Sequence, residues 1–291
     1  MAYKVNTEGV YEWTILDQLV DVGKYAVLLL NHSLDHLNGH KSPLFDKIWN
    51  NAALRVAVDG GSKYLSTINS RHRLPDIVSG DFDSISTDRL DYFRTKGVQV
   101  IETPDQNYTD FTKAVNLVIE SNKSAAAAIL TDNNSNNEDI RDGQQQRLRP
   151  AAHCTAIVAV WSSLGRIDQV MSNINTLYSN EADNGYQSAD SGRHYIPIYL
   201  VQCHHSITWL LHKGTHVIDS CKKSKWCSLV PVGAPTTVTT QGFRWNLTND
   251  TMSFGSLIST SNEFDENDRT VRVETDRPLL FSMDVSIEHH L

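Results

Sequence analysis

Cysteine is scarce in this chain: four among 291 residues, at Cys154, Cys203, Cys221 and Cys227, with no C-x-x-C pair and no histidine-rich partner at zinc spacing. That argues against a disulfide framework or a zinc module and predicts reduced thiols in a cytoplasmic protein. An early apolar run is missing as well. Lys4, Glu8, Glu12 and Asp17 precede Tyr25–Leu30, so neither a secretory leader nor a membrane-spanning helix is expected, and sequons such as Asn246-Leu247-Thr248 are read as unglycosylated. Positive charge is in deficit: 26 Lys and Arg against 34 Asp and Glu leave a net charge of −8. A nucleic-acid or anionic-membrane surface needs a basic footprint, so neither partner is expected. The phosphate signatures G-x-x-x-x-G-K-[ST] and G-x-G-x-x-G are also absent. A phosphate ligand must then be held another way, and for an acidic chain that way is a metal.

The residues present are 40% hydrophobic and 21% charged, enough to bury a full core in one large domain or two ordinary ones. The most informative segment is Pro75-Asp76-Ile77-Val78-Ser79-Gly80-Asp81-Phe82-Asp83-Ser84-Ile85. In an extended chain residues i and i+2 share a face, so Asp81 and Asp83 are expected to face one point, with Gly80 letting a ligand come close. Such a pair suits Mg²⁺, which takes hard oxygen ligands and shares a substrate's phosphates. For an isolated D-x-D, a turn with solvated acids is the plainer alternative.

Buried-strand runs at Tyr25–Asn31, Leu54–Gly61, Asp76–Val78, Val98–Ile101, Ala156–Trp161 and Ile196–Val201 alternate with helical patterns around 43–53, 62–70, 109–119 and 166–178. Alternation of this kind predicts an α/β fold, a mainly parallel sheet with flanking helices, whose ligands bind at the carboxyl ends of the strands. Residues 131–152, rich in Asn and Gln, read as a disordered insertion, and Asn180–Arg193 as a second polar loop. From His204 on the pattern changes to short strands punctuated by Gly and Pro, the signature of an antiparallel β-sandwich or barrel. The division is therefore expected at 1–203 and 204–291. Asp59, Asp81, Asp83, Asp105 and Asp110, with Gln106 and Thr109, form a candidate metal-centred cradle, and Lys113 and Arg166 are its candidate cations.

These residues resemble the thiamine pyrophosphokinase family. The likeness runs through Leu30-Asn31, Asp59-Gly60-Gly61, Gly80–Ile85, Thr103-Pro104-Asp105-Gln106, Thr109–Lys113 and Gly165–Gln169. It continues in Val230–Gly233, Gly242–Asp250, Phe254-Gly255, Ser259–Asn262 and Val273–Asp276. The resemblance implies a Rossmann-like α/β catalytic domain that binds ATP and Mg²⁺, followed by a β-sandwich that binds thiamine. It also implies a homodimer with the active site at the subunit interface, and transfer of the pyrophosphoryl group of ATP to the hydroxyl of thiamine, releasing AMP. By that analogy Asp81, Asp83 and Asp110 are the metal-bearing catalytic acids, joined by Asp168. Asp59, Gln106, Thr109, Lys113 and Arg166 would contact ATP, and Trp245 and Ser259 thiamine.

Each role has a plainer counterpart: Trp245 as a core aromatic, Arg166 with Asp168 as a surface pair, Asp59 as a turn residue. Trp161-Ser162-Ser163-Leu164 stands where relatives tend to have glycines, which leaves less room for backbone approach to phosphate. Two other classes carry the same acids or the same aromatic: a metal-dependent nucleotide-sugar glycosyltransferase, and a thiamine- or nucleotide-binding protein without turnover.

Overall fold

A computed structural model describes residues 4–7, 9–14, 24–31, 42–67, 72–132, 153–164, 166–183, 196–203, 205–219, 224–268 and 270–285. The insertion read at 131–152 lies, from residue 133 on, outside the described residues, as does 184–193 of the second polar loop. In chain order the elements begin with strands β1 (Lys4–Val5), β2 (Tyr11–Trp13) and β3 (Tyr25–Leu29), helix α1 (Pro43–Asn51) and β4 (Leu54–Val58). A 3-10 turn, Asp59–Lys63, runs into the helical turn Tyr64–Thr67, and β5 (Ile77–Gly80), α2 (Thr87–Thr95), β6 (Gln99–Glu102) and α3 (Asp110–Asp132) follow. Next come β7 (Ala156–Val160), α4 (Ile167–Asp183), β8 (Ile198–Gln202), β9 (Ser206–Leu211), β10 (Gly214–Asp219) and β11 (Cys227–Val230). The last strands are β12 (Thr236–Gln241), β13 (Asp250–Met252), β14 (Ser259–Asn262), β15 (Thr270–Thr275) and β16 (Leu279–Asp284).

The chain is a mixed α/β protein with two sheets. The larger has the order β14-β11-β16-β9-β8-β7-β3-β4-β5-β6. From β8 to β6 its neighbours pair in parallel, and from β8 to β14 they pair antiparallel. All five residues of β3 are buried, as a strand covered on both faces requires. Tyr25, Val27 and Leu29 enter one core with Phe45, Ile48 and Trp49 of α1 and Phe93 of α2. Ala26 and Leu28 enter the other with Phe111, Val115 and Val118 of α3 and Leu177 of α4. Burying each of these large apolar side chains contributes about 1.5–3 kcal/mol. The start of α1 is set by Ser42, whose hydroxyl accepts from Phe45 N at 3.2 Å just before Pro43.

The second sheet, β1-β2-β10-β15-β12-β13, shares the first core: Ile218, Val238, Val271 and Val273 pack with Trp209, Leu211, Phe281 and Met283 of the larger sheet. The division expected at residue 204 falls inside the β8–β9 hairpin, where Leu200 pairs with Thr208. β8 is fully buried, so its second edge needs a hydrogen-bonding partner, and β9 supplies it. The second sheet likewise draws on both ends of the sequence, because β2 pairs in parallel with β10.

Helix α2 was not legible beforehand, since Leu90, Tyr92 and Phe93 are the only apolar residues in a charged segment. No described helix is long and apolar enough to cross a membrane.

Candidate functional site

The parallel strand order reverses beside β3, with β4 on one side and β7 on the other, and open α/β sheets hold ligands beyond the carboxyl strand ends at such a point. There β4 ends at Val58, and Asp59, whose φ of 39° is left-handed, begins the 3-10 turn. The turn is pressed on the end of β3: a Cβ on Gly61 would lie 2.1 Å from the Leu29 carbonyl oxygen. β5 ends at Gly80, where a Cβ would lie 2.8 Å from Asp59 Cβ. Only glycine lets Asp59 lie so close across the end of β5. Asp81 follows directly, and Asp110 is the first residue of α3.

These elements bring Asp59, Asp81 and Asp110 together, each with a carboxylate oxygen within 4.8 Å of the others. Asp83 stays outside that trio. Phe82 has a φ of 63°, so the chain turns after β5 and residues 81 and 83 do not alternate as they would in a strand. Asp83 N instead donates to Asp81 Oδ1 at 3.3 Å, and Ser84 Oγ to Asp83 Oδ1 at 2.8 Å. The Asp83 charge still reaches Asp59. Burial, first, pushes the Asp59 carboxyl above the usual carboxylate range; the Gly60 N–H and the Ser84 hydroxyl oppose this, and repulsion from Asp110 and Asp83 adds to it. Asp59 Oδ1 is buried and has no hydrogen-bond partner.

The 103–109 loop supports this cluster. Gln106 Nε2 donates to Asp81 Oδ2 at 3.2 Å. Lys113 is buried, and its ammonium donates to Thr103 O at 2.7 Å and Asp105 O at 3.2 Å while lying 2.7 Å from Asp110 Oδ1. Two hydrogen bonds to the loop and an ion pair with Asp110 thus let Lys113 tie the loop to the head of α3. Asp105 accepts from Asn107 N at 2.8 Å and turns the loop. Thr109 caps α3, its hydroxyl accepting from Thr112 N at 3.2 Å.

Arg166 and Asp168 lie exposed at the head of α4 in a two-pronged ion pair, Nε to Oδ1 at 3.0 Å and Nη2 to Oδ2. Hydrogen bonding from Arg166 holds the Asp168 carboxyl below its ordinary range. Trp161 turns into the core beside α3, leaving Ser162 and Ser163 at the turn before α4.

Trp245 is 54% exposed and therefore is not a core aromatic. The Arg244 guanidinium lies over one face of its ring, 4.7 Å from the centroid, and donates to Glu263 Oε2 at 2.7 Å. Asn262, buried at the end of β14, joins the two residues assigned to thiamine: Nδ2 donates to Trp245 O at 2.9 Å and Ser259 Oγ at 3.3 Å. Oδ1 accepts from Trp245 N at 3.3 Å. Sequence reasoning gave Asn262 no role, although an asparagine at a strand end, where the type is disfavoured, was an available signal.

Acids converging at the ends of parallel strands, with amide and hydroxyl groups on an adjoining loop, are the apparatus of an enzyme that transfers phosphoryl groups. Comparison with known proteins narrows the class. The profile of the thiamin pyrophosphokinase catalytic domain matches residues 45–186, and that of the vitamin B1 binding domain matches residues 215–280. Thiamine pyrophosphokinase 3 of Oryza sativa subsp. japonica is 30% identical over 282 residues, spanning 91% of this chain and 88% of the rice protein. Thiamine pyrophosphokinase 1 of Arabidopsis thaliana is 29% identical over 287 residues, spanning 92% and 90%. The crystal structure of yeast thiamin pyrophosphokinase shares the fold, with a TM-score of 0.69 at 24% identity over 92% of this chain and 89% of that one. The chain belongs to the thiamin pyrophosphokinase family, ATP-dependent enzymes that transfer a diphosphate group to thiamine.

Proposed function

We propose that Asp81, Asp83 and Asp110, with Asp59 beside them, hold Mg²⁺ and the triphosphate of ATP for attack by the thiamine hydroxyl at the β-phosphorus, with release of AMP. The convergence of Asp59, Asp81 and Asp110 within 4.8 Å carries this reading. The donor set fits a hard divalent cation. All the groups are carboxylate oxygens, Asp59 has a buried oxygen without a hydrogen-bond partner, and its raised pKa marks an anion short of compensating charge. When bound, Mg²⁺ supplies charge neutralisation and in-line alignment of the phosphates.

The remaining assignments describe what the chain's own groups do. Gln106 orients Asp81, and Thr109 meets the nucleotide. Lys113 acts on ATP by fixing the Asp110 carboxylate and the 103–105 carbonyls. Arg166 has a planar fork suited to phosphate, and a phosphate that draws it away frees Asp168 to accept the thiamine hydroxyl proton. The open face of Trp245 takes the cationic thiazolium, and Ser259 fixes the pyrimidine.

The parallel strands β3–β8 then serve as a Rossmann-like catalytic half, residues 1–203, and the two layers after residue 204 as a thiamine-binding sandwich. Trp245, Phe254, Leu257 and Ile258 are each exposed in the latter part of the chain, which supports a homodimer with the active site at the subunit interface. Cys154, Cys203 and Cys227 are buried thiols, in keeping with a cytoplasmic enzyme. A binding-only relative would have no use for four acids, and the family assignment displaces a nucleotide-sugar glycosyltransferase.

Mn²⁺, read by electron paramagnetic resonance, tests the metal site. The protein should bind it with an unreactive ATP analogue, and Asp81→Asn and Asp110→Asn should each lose that binding. Equal binding by Asp81→Asn would refute the site.

A further inference from the structure

Three threonine hydroxyls link the candidate nucleotide site to the neighbouring helix, and their hydrogen-bond directions can be worked out by elimination. Thr176, on α4 and 1% exposed, donates its hydroxyl hydrogen to the Ser172 carbonyl at 3.1 Å, because a carbonyl can only accept. Thr112 Oγ1 lies 2.9 Å from Thr176 Oγ1. With the Thr176 hydrogen committed, Thr112 must be the donor in that contact. Thr109 Oγ1 lies 3.0 Å from Thr112 Oγ1, so Thr109 in turn must donate to Thr112. Thr109 also accepts from Thr112 N–H at 3.2 Å.

A hydroxyl has one hydrogen and two lone pairs, so Thr109 presents outward a single acceptor and no donor. An unprotonated phosphate oxygen, which can only accept, has no hydrogen bond to make there. We infer that Thr109 is a specificity-determining residue that accepts from an N–H or O–H of the nucleotide, the adenine amino group or a ribose hydroxyl, and that Thr112 and Thr176 are positioning residues that set this polarity. The inference rests on the proposed nucleotide contact of Thr109 and adds which part of ATP meets it.

Thr176→Val keeps the side chain's shape and removes the relay's end. Thr112 then loses its acceptor and turns its hydrogen to Thr109, whose own hydrogen is pushed outward against the ligand's donor. The KM for ATP should rise about three- to tenfold, the scale of one neutral hydrogen bond, while the KM for thiamine stays unchanged. Thr176→Ser should restore the normal value. With the unaltered protein, a nucleoside triphosphate lacking the 6-amino group or one lacking a ribose hydroxyl should show the same rise, and Thr176→Val should add nothing to it.

A Thr176→Val enzyme with an unchanged KM for ATP, or one that raises both KM values alike, would overturn the relay. If Thr109→Val also leaves the KM for ATP unchanged, the nucleotide contact itself is wrong. If Thr109→Val raises that KM while Thr176→Val does not, the contact stands and the relay falls. Should Thr176→Val fail to fold, Thr112→Val breaks the same chain from its half-buried middle and carries the same expectation.

Discussion

Asp59 combines two costly features, a left-handed backbone at φ 39° and a buried carboxylate oxygen without a hydrogen-bond partner. Each costs about 1–3 kcal/mol, and such strain persists where function uses it. Asp59→Asn keeps the size and removes the charge. Turnover should fall on the order of a hundredfold, the scale of a preorganised electrostatic group, and the Mg²⁺ requirement should rise. The thermal midpoint should hold or increase, because repulsion from Asp110 and Asp83 is relieved. Unchanged turnover with unchanged Mg²⁺ dependence would remove Asp59 from the metal site. Asp83 is exposed, so Asp83→Asn should lower turnover by a similar order with little loss of stability; near-normal turnover would leave Asp83 a turn residue. The acids themselves were legible in the sequence. Their arrangement was not, because alternation assumes an extended chain and Phe82 interrupts it, so Asp83 falls outside the trio that Asp59 completes.

At the scale of elements, the Phe243–Leu247 turn is a rigid mount for Trp245. Asn246 Nδ2 donates to Phe243 O at 2.8 Å, and Asn262 grips the Trp245 backbone from both sides. Trp245→Ala should raise the KM for thiamine about tenfold, in keeping with one cation–π contact, and leave that for ATP alone. An equal effect on both would mean a structural role.

Strand β2 docks through another rigid contact: Trp13 Nε1 donates to His216 Nδ1 at 3.0 Å, and His216 Nε2 donates to the His212 carbonyl at 2.8 Å. Burial, first, depresses the His216 pKa to about 3, with His212 charge adding to the depression and the His212 carbonyl opposing it. The unfolded chain binds this proton near pH 6.5 and the folded chain does not, so the stability is fully present above pH 6.5 and is lost as pH falls towards 3. Between pH 6.5 and 5 the loss should be about 2 kcal/mol. His216→Gln should flatten the fall in denaturant midpoint over that range. An identical pH profile would show that other groups govern it. Most strands were legible from apolar runs and turn residues, but β2 was not, since Tyr-Glu-Trp is too short to show a period.

At the scale of the whole molecule, sequence pattern distinguished a parallel stretch from an antiparallel one. It could not show that β8 and β9 join them in one sheet, because strand pairing between runs that are each buried leaves no periodic trace. If Asp81 and Trp245 serve one active site from different subunits, two variants impaired at low thiamine should complement each other. Mixing Asp81→Asn with Trp245→Ala after partial unfolding and refolding together should restore activity that neither shows alone at low thiamine. No recovery, in a sample shown by sedimentation to contain mixed dimers, would mean each subunit carries its site whole.

The most direct test of the central claim is to incubate the protein with ATP, Mg²⁺ and thiamine and to resolve the nucleotide products by chromatography. AMP and thiamine diphosphate should appear in equal amounts, only with thiamine present and only with the divalent cation. ADP as the product, or AMP formed without thiamine, would contradict pyrophosphoryl transfer at the carboxylate cradle.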